Sequence, residues 1–170
     1  MQFKLIVAMC KNRGIGHLNK LPWPKFKTDM EFFSRITTGN KKNAVVMGKN
    51  TFKSIISKNN NPLIHRDNLV LSTTKKRTHH RKVYFFSEIS SLIKYCLTKN
   101  YEEVWIIGGE KIYEQFLNLE IVDEIYLTYI ENEYECDTFL PEINKIYENK
   151  QLLYTVVEND TTLYFSKYSN

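Results

Sequence analysis

The sequence predicts an α/β fold: a central, mixed but mostly parallel sheet with flanking helices, closed by an antiparallel C-terminal hairpin. Three observations carry this. Short β-branched or aromatic runs alternate with segments of helical periodicity from Phe3 to Leu117, the pattern of strand–helix–strand crossovers. The first run, FKLIVAM, is apolar on both sides, as a strand buried on both faces requires. After Val122 the chain changes to three longer strand-like runs, the last two joined through Asn159 and Asp160, a pair suited to a hairpin turn.

Each element has a local reason. In FKLIVAM, Phe3, Leu5, Val7 and Met9 fall on one side, and Ile6, Ala8 and Cys10 on the other. A helix is expected from Asp29 to about Thr38. There Asp29, Phe32, Phe33 and Ile36 stand three, four and seven residues apart, spacings that share one helix face. AVVMG, Ala44 to Gly48, is a strand, followed by a short helix from Thr51 to Ser57 with Thr51 as cap. NLVLS (Asn68 to Ser72) and VYFF (Val83 to Phe86) are strands. Ser87 is expected to cap a helix with Ile89, Leu92, Ile93, Cys96 and Leu97 inward. VWIIGG, Val104 to Gly109, leads into a helix with Ile112, Tyr113, Phe116 and Leu117 inward; VDEIYLTYIE, QLLYTVVE and TTLYFSKY complete the sheet.

With 170 residues the chain is expected to be one domain, 1–170, long enough for a real core. No apolar run approaches the ~18 residues of a membrane helix. LIVAMC is too short for a signal segment and is followed by KNRG. A cytoplasmic protein without a membrane partner is expected. Cys10, Cys96 and Cys136 are odd in number and lack CxxC spacing, which reads as free thiols in a reducing compartment. Four histidines, His79 and His80 adjacent, offer no metal-ligand pattern, and no metal is expected. The net charge of +5 points to an anionic partner. Much of it lies in KKRTHHRK, Lys75 to Lys82. That run interleaves no aromatics and sits on no recognition helix, so it reads as a solvated loop, and no nucleic-acid partner is expected.

Ligands of open α/β sheets bind beyond the carboxyl ends of the strands, here Gly48, Ser72 and Gly108. In IIGGEKIY a strand reaches paired glycines and a helix starts at once; its free N–H groups and dipole favour phosphate. In VVMGKNTF a strand again ends in glycine, beside Lys49, and LVLSTTKKR ends in hydroxyls followed by cations. Each alone is equally an ordinary turn. Together they favour one extended anionic cofactor, a dinucleotide. Arg66, in NPLIHRDN, is either a solvated loop residue or a bidentate clamp for a carboxylate. Thr128, in IYLTYI, is a good strand former unless a polar group faces it. Asp29 is the outlier. A carboxylate among aromatic neighbours has its pKa raised and needs a cationic or hydrogen-bonding ligand. A planar heterocycle with adjacent N–H donors would satisfy it.

The blocks IVAMCKNRGIGHLNKLPWP, DMEFF, VVMGKNTF, NPLIHRDNLVLS, VWIIGGEKIYEQFL and IYLTYIENEYECDTFLP, in this order, resemble the dihydrofolate reductase family over nearly the whole chain. The combination is specific although each block alone is weak. The five residues between Trp23 and Asp29 resemble the eukaryotic-type spacing, whereas Asp rather than Glu at position 29 resembles bacterial members. The resemblance implies NADPH as cofactor, dihydrofolate as substrate, antifolates as inhibitors, and a monomer.

It also implies roles. Asp29 would bind the pterin and promote its protonation, with Trp23, Thr128 and Leu21 as catalytic neighbours. Ile6, Ala8, Met30, Phe33, Ile55 and Leu63 would line the substrate pocket, and Arg66 would pair with the glutamate α-carboxylate. Ile15 to Leu21 would close over the nicotinamide. NADPH would contact Ala8, Ile15, Gly16, Asn19, Lys20 and Leu21 there. Gly48, Lys49, Asn50, Thr51, Leu71, Ser72 and Thr73, then Ile107, Gly108, Gly109, Glu110, Lys111, Ile112 and Tyr113, would hold the rest of it. Lys49 and the trio Lys75, Lys76 and Arg77 stand nearest the expected 2′-phosphate.

Three residues depart from the pattern: His65 for a frequent glycine, Phe52 for a frequent tryptophan, and Cys136 for a glycine common in bacterial members. Two rival readings differ in class. One is a same-fold reductase of another heterocycle, of the riboflavin-pathway type, against which Asp29 together with Arg66 argues. The other is a basic, nonenzymatic nucleic-acid-binding module.

Overall fold

The computed structural model describes residues 1–74 and 78–170. Its first strand, β1 (Gln2–Met9), lies between two parallel neighbours, β6 (Glu103–Gly108) and β7 (Glu124–Ile130). The sheet extends outward through β3 (Ala44–Gly48), β4 (Asp67–Leu71) and β5 (Val83–Phe86). On the other side it ends in β10 (Thr161–Ser169) and β9 (Asn149–Glu158), giving the order β5-β4-β3-β6-β1-β7-β10-β9. All these pairings are parallel except those of β10 with β7 and β9, so the fold is the mixed, mostly parallel sheet with an antiparallel terminal pair that the sequence predicts. Asn159 and Asp160 turn the hairpin with φ of 51° and 58°, left-handed values that short polar side chains tolerate.

The alternation along β1 sorts the core. Phe3, Leu5 and Val7 join Leu92, Cys96, Tyr113 and Phe116 on one face. These come from α3 (Ile89–Leu97) and α4 (Glu110–Asn118). Ile6 and Cys10 join Phe32, Phe52, Trp105 and Phe165 on the other, under α1 (Lys27–Thr38) and α2 (Lys49–Asn59). Lys4 also points to this second face. Burial pulls its pKa down, but Glu103 at 2.6 Å and Glu124 at 3.0 Å reverse this and hold it above the ordinary lysine value.

Several local expectations change. The helix expected from Thr51 to Ser57 runs from Lys49 to Asn59, with Gly48 as N-cap, so Thr51 is inside the helix and caps nothing. Glu88, not Ser87, precedes α3, and no side chain caps it. Leu97, expected inward, is 67% exposed at the last position of the helix, although Cys96 beside it is fully buried. Phe32 and Phe33 diverge. Phe32 packs on Phe165 and Tyr154 of the hairpin, whereas Phe33 lines the cleft beside Asp29. Their positions, about 60° to one side of Asp29 and 40° to the other, lie on opposite margins of the helix stripe. A second small sheet was not legible in the sequence: β2 (Gly14–Gly16) pairs antiparallel with β8 (Thr138–Phe139).

Candidate active site

The carboxyl ends of β1, β3, β4 and β6 open into a cleft of about 1200 Å³ whose walls include α1, α2 and α4. This exceeds the roughly 300–1,000 Å³ of a single small-ligand pocket, so the cleft has room for more than one small ligand. The packing of α4 explains the glycines at two strand ends. A Cβ on Gly48 would come within 3.2 Å of Ile112, and one on Gly108, with φ of 121°, within 3.2 Å of the Tyr113 hydroxyl. The Gly108–Gly109 peptide is cis. The starts of α2 and α4 both line the cleft and present their first-turn N–H groups, a disposition suited to phosphate oxygens.

Asp29 sits in the first turn of α1, partly buried, between Met30 and Phe33 on the cleft wall. Burial is the largest influence and pushes its pKa up to about 6; the Thr128 hydroxyl opposes this and the Glu158 carboxylate adds to it. Strand register supplies Thr128: it lies opposite Ala8 of β1 and Phe165 of β10, and is buried. Tyr113 is buried on α4 and donates its hydroxyl to the Ile6 carbonyl at 2.8 Å, fixing α4 against β1.

Arg66, immediately before β4, is buried. Its Nε donates to the Ile64 carbonyl at 2.9 Å and its Nη1 to the Thr37 hydroxyl at 2.8 Å. Thr37 in turn donates to the Phe33 carbonyl within α1. Burial pulls the Arg66 pKa down, and among the described residues it forms no ion pair. The guanidinium is thus oriented and desolvated while lacking an anion, and it lines the cleft. His65 beside it has φ of 62°, the left-handed conformation that favours glycine and explains the glycine frequent there in the resembled pattern.

Most residues singled out from the sequence meet in this cleft: Ile6, Ala8, Ile15, Gly16, Asn19, Lys20, Leu21, Asp29, Met30, Phe33 and Ile55, then Leu63, Arg66, Ile107 and Thr128. Gly48, Lys49, Asn50, Thr51, Leu71, Ser72, Thr73, Gly109, Glu110, Lys111, Ile112 and Tyr113 line it too. Two do not. Trp23 is buried behind the wall with its ring edge-on to Tyr134 at 6.0 Å, and Gly108 lies beneath Tyr113. Lys75, Lys76 and Arg77 lie outside the described residues. The loop 15–21 is braced from the β7–β8 segment: the Asp137 amide donates to Gly16 at 2.9 Å, and its carboxylate accepts from the Leu18 amide at 2.8 Å.

Glu158, at the end of β9, was missed. Its carboxylate accepts from the Lys27 amide at 2.6 Å, the Thr28 amide at 3.0 Å and the Thr28 hydroxyl at 2.6 Å. It caps α1 through space, where Phe26 at the N-cap position has no side chain able to do so. Lys58, Ser54 and Thr138 also line the cleft without a sequence signal. Among the described residues no group of three or more His, Cys, Asp or Glu could hold a metal ion, and no helix is long and apolar enough to cross a membrane.

The family model for dihydrofolate reductase matches residues 2–169. The viral dihydrofolate reductase of Saimiriine herpesvirus 2 (strain 488) is 40% identical over 146 residues, covering 82% of this chain and 68% of that protein. The dihydrofolate reductase of Gallus gallus is 36% identical over 156 residues, covering 87% and 81%. That of Drosophila melanogaster is 37% identical over 149 residues, covering 84% and 81%.

Proposed function

The chain belongs to the dihydrofolate reductase family, and on that premise we propose that it reduces 7,8-dihydrofolate to 5,6,7,8-tetrahydrofolate with NADPH, as a single-domain, cytoplasmic monomer. The observation that carries the reading is one carboxylate, Asp29, held near pKa 6 inside a cleft roomy enough for substrate and cofactor together.

The residues fit a dinucleotide. The N–H groups opening α2 and α4 suit its phosphates, and Ser72 and Thr73 at the end of β4 offer hydroxyls. Bound there, NADPH supplies the hydride. The chain's own residues do the rest. Asp29 pairs as a carboxylate with the N–H donors of the pterin, and its raised pKa of about 6 brings its proton within reach near neutral pH, which promotes protonation at N5. Thr128 orients that carboxylate, and Trp23 backs the neighbouring loop. Met30, Phe33, Ile55 and Leu63 wall the pterin and benzoyl groups. Arg66, just before the amino end of β4, lies roughly 20 Å of strand away from the Ser72 end; it receives the glutamate α-carboxylate. Ile15 to Leu21 closes over the nicotinamide and excludes water. Leu21, 53% exposed, is its movable apolar edge. Antifolates that present a protonated pterin-like ring bind the same carboxylate.

A spectrophotometric assay of NADPH oxidation with dihydrofolate tests this. Turnover with dihydrofolate is the expected result. Turnover only with another heterocycle transfers the fold to the rival reductase class, and no turnover with either overturns the reading.

A further inference from the structure

Two thiols that the reaction does not use touch each other beside the loop that closes the site. Cys10 follows β1 and is fully buried; Cys136 lies between β7 and β8 and is partly exposed. Their sulfurs are 3.6 Å apart, contact rather than a bond, since a disulfide needs ~2.05 Å. The pair occupies space left by a missing side chain. A Cβ on Gly14 would fall 2.3 Å from the Cys136 sulfur and 3.0 Å from that of Cys10. Both cysteines also belong to the brace of the loop. The Cys10 amide donates to the Gly14 carbonyl at 2.9 Å. Residues next to Cys136 hold Gly16 and Leu18 through Asp137, and Trp23 through Tyr134.

We propose that Cys10 and Cys136 are a redox-modification site: a dithiol that a low-molecular-weight disulfide converts to a Cys10–Cys136 cross-link, pinning the chain just after β1, to which Gly14 is hydrogen-bonded, to the segment that braces the 15–21 loop. Cys136, the exposed partner, attacks one sulfur of the small disulfide RSSR as thiolate. The RS–SR bond breaks, a Cys136–SR bond forms, and the departing RS⁻ takes up a proton. Cys10 then attacks the Cys136 sulfur, forming the internal disulfide and expelling the second RS⁻, which is also protonated. The protein loses two electrons and two protons, and RSSR becomes two RSH. Burial, then the neighbouring Cys10 thiol and the Asp137 carboxylate, push the Cys136 thiol up to about 11, so the first step is slow at neutral pH. The third cysteine, Cys96, is buried in the opposite core with its thiol pushed up to about 12 by burial, and stays reduced.

The effect on catalysis rests on the reading of 15–21 as a closing loop; the cross-link itself does not. The test is incubation with excess glutathione disulfide, alkylation of remaining thiols, intact-mass measurement and peptide mapping. The expected product has lost two hydrogens, carries one linked peptide pair containing Cys10 and Cys136, and has one alkylatable cysteine. Its kcat falls roughly 3–10-fold, because loop opening limits many well-evolved enzymes, and a dithiol reductant restores it. Cys136→Ser gives neither the cross-link nor the fall in kcat. A glutathione adduct that persists on Cys136, or all three thiols still free after treatment, overturns the site. A complete cross-link with unchanged kcat overturns the coupling to the loop. An enzyme inactive before treatment overturns the functional reading, and the mass result still judges the cross-link.

Discussion

Asp29 is destabilised by the position that makes it useful. Burial raises its pKa from 3.8 to about 6, so the folded state binds the proton more tightly than the unfolded chain. Above pH 6 the native protein carries the full cost of an ionised, desolvated carboxylate. As pH falls from 6 towards 3.8 that cost disappears. Asp29→Asn is therefore expected to stabilise the fold at pH 7–8 by on the order of 2–3 kcal/mol, a gain that vanishes near pH 4. The same change is expected to lower hydride transfer at pH 7 by about 10²–10⁴-fold, and by less in acid, where substrate arrives protonated. Denaturant melts across pH and single-turnover rates measure both; near-normal rates at pH 7 would remove Asp29 from the chemistry. Arg66 carries the opposite imbalance, a desolvated cation awaiting an anion. A charge-assisted hydrogen bond is worth roughly 1.5–3 kcal/mol. Arg66→Leu is therefore expected to weaken dihydrofolate by about 10–100-fold, yet hardly a pterin lacking the glutamate. Equal losses for the two substrates would point to damage in the pterin pocket.

At the level of elements, α1 reaches the cleft in the right pose because the C-terminal hairpin holds its first turn. Removing an N-cap acceptor costs about 0.5–2 kcal/mol, and Glu158 accepts three hydrogen bonds there. Glu158→Ala is expected to lower stability by that amount. Loss of its negative charge should also move the pH above which hydride transfer falls to a lower value, since Glu158 helps raise the Asp29 pKa. A thermal melt and a pH–rate profile check the two effects; an unmoved profile would confine Glu158 to capping. This contact also marks the limit of what the chain discloses. The two-sided run of β1, the glycine-ended strands and the Asn159–Asp160 turn were legible because each is written in neighbouring residues. Glu158 reaching Thr28 was not, because 130 positions separate them and only the hairpin register brings them together. The β2–β8 pairing escaped for the same reason: GIG and TF are too short to show alternation. The split between Phe32 and Phe33 escaped because helical spacing defines a stripe but not which neighbour takes each margin.

For the molecule as a whole, charge is distributed so that cofactor choice becomes an electrostatic question. The chain carries +5, and NADPH differs from NADH by one phosphate dianion. Lys49 opens α2, is partly buried, and lines the cleft directly after Gly48. Ser72 and Thr73 line it at the end of β4, which pairs in register with β3 through Gly48 and Leu71. The two loops are therefore neighbours, and the second leads on to Lys75, Lys76 and Arg77, which lie outside the described residues. A cation close to the 2′-phosphate discriminates between the cofactors; one pointing into water adds only ~0–1 kcal/mol. Lys49→Gln, or neutralisation of the trio, is expected to lower kcat/KM for NADPH while leaving NADH nearly unchanged. The preference should shrink with added salt, because a partly exposed charge contact is screened over ~8–10 Å. The measurement is the NADPH-to-NADH ratio of kcat/KM for wild type and both variants at two ionic strengths. A wild type that uses both cofactors equally, or two variants that keep the full preference at both ionic strengths, would assign the basic loop to the solvated surface and place phosphate recognition elsewhere in the cleft.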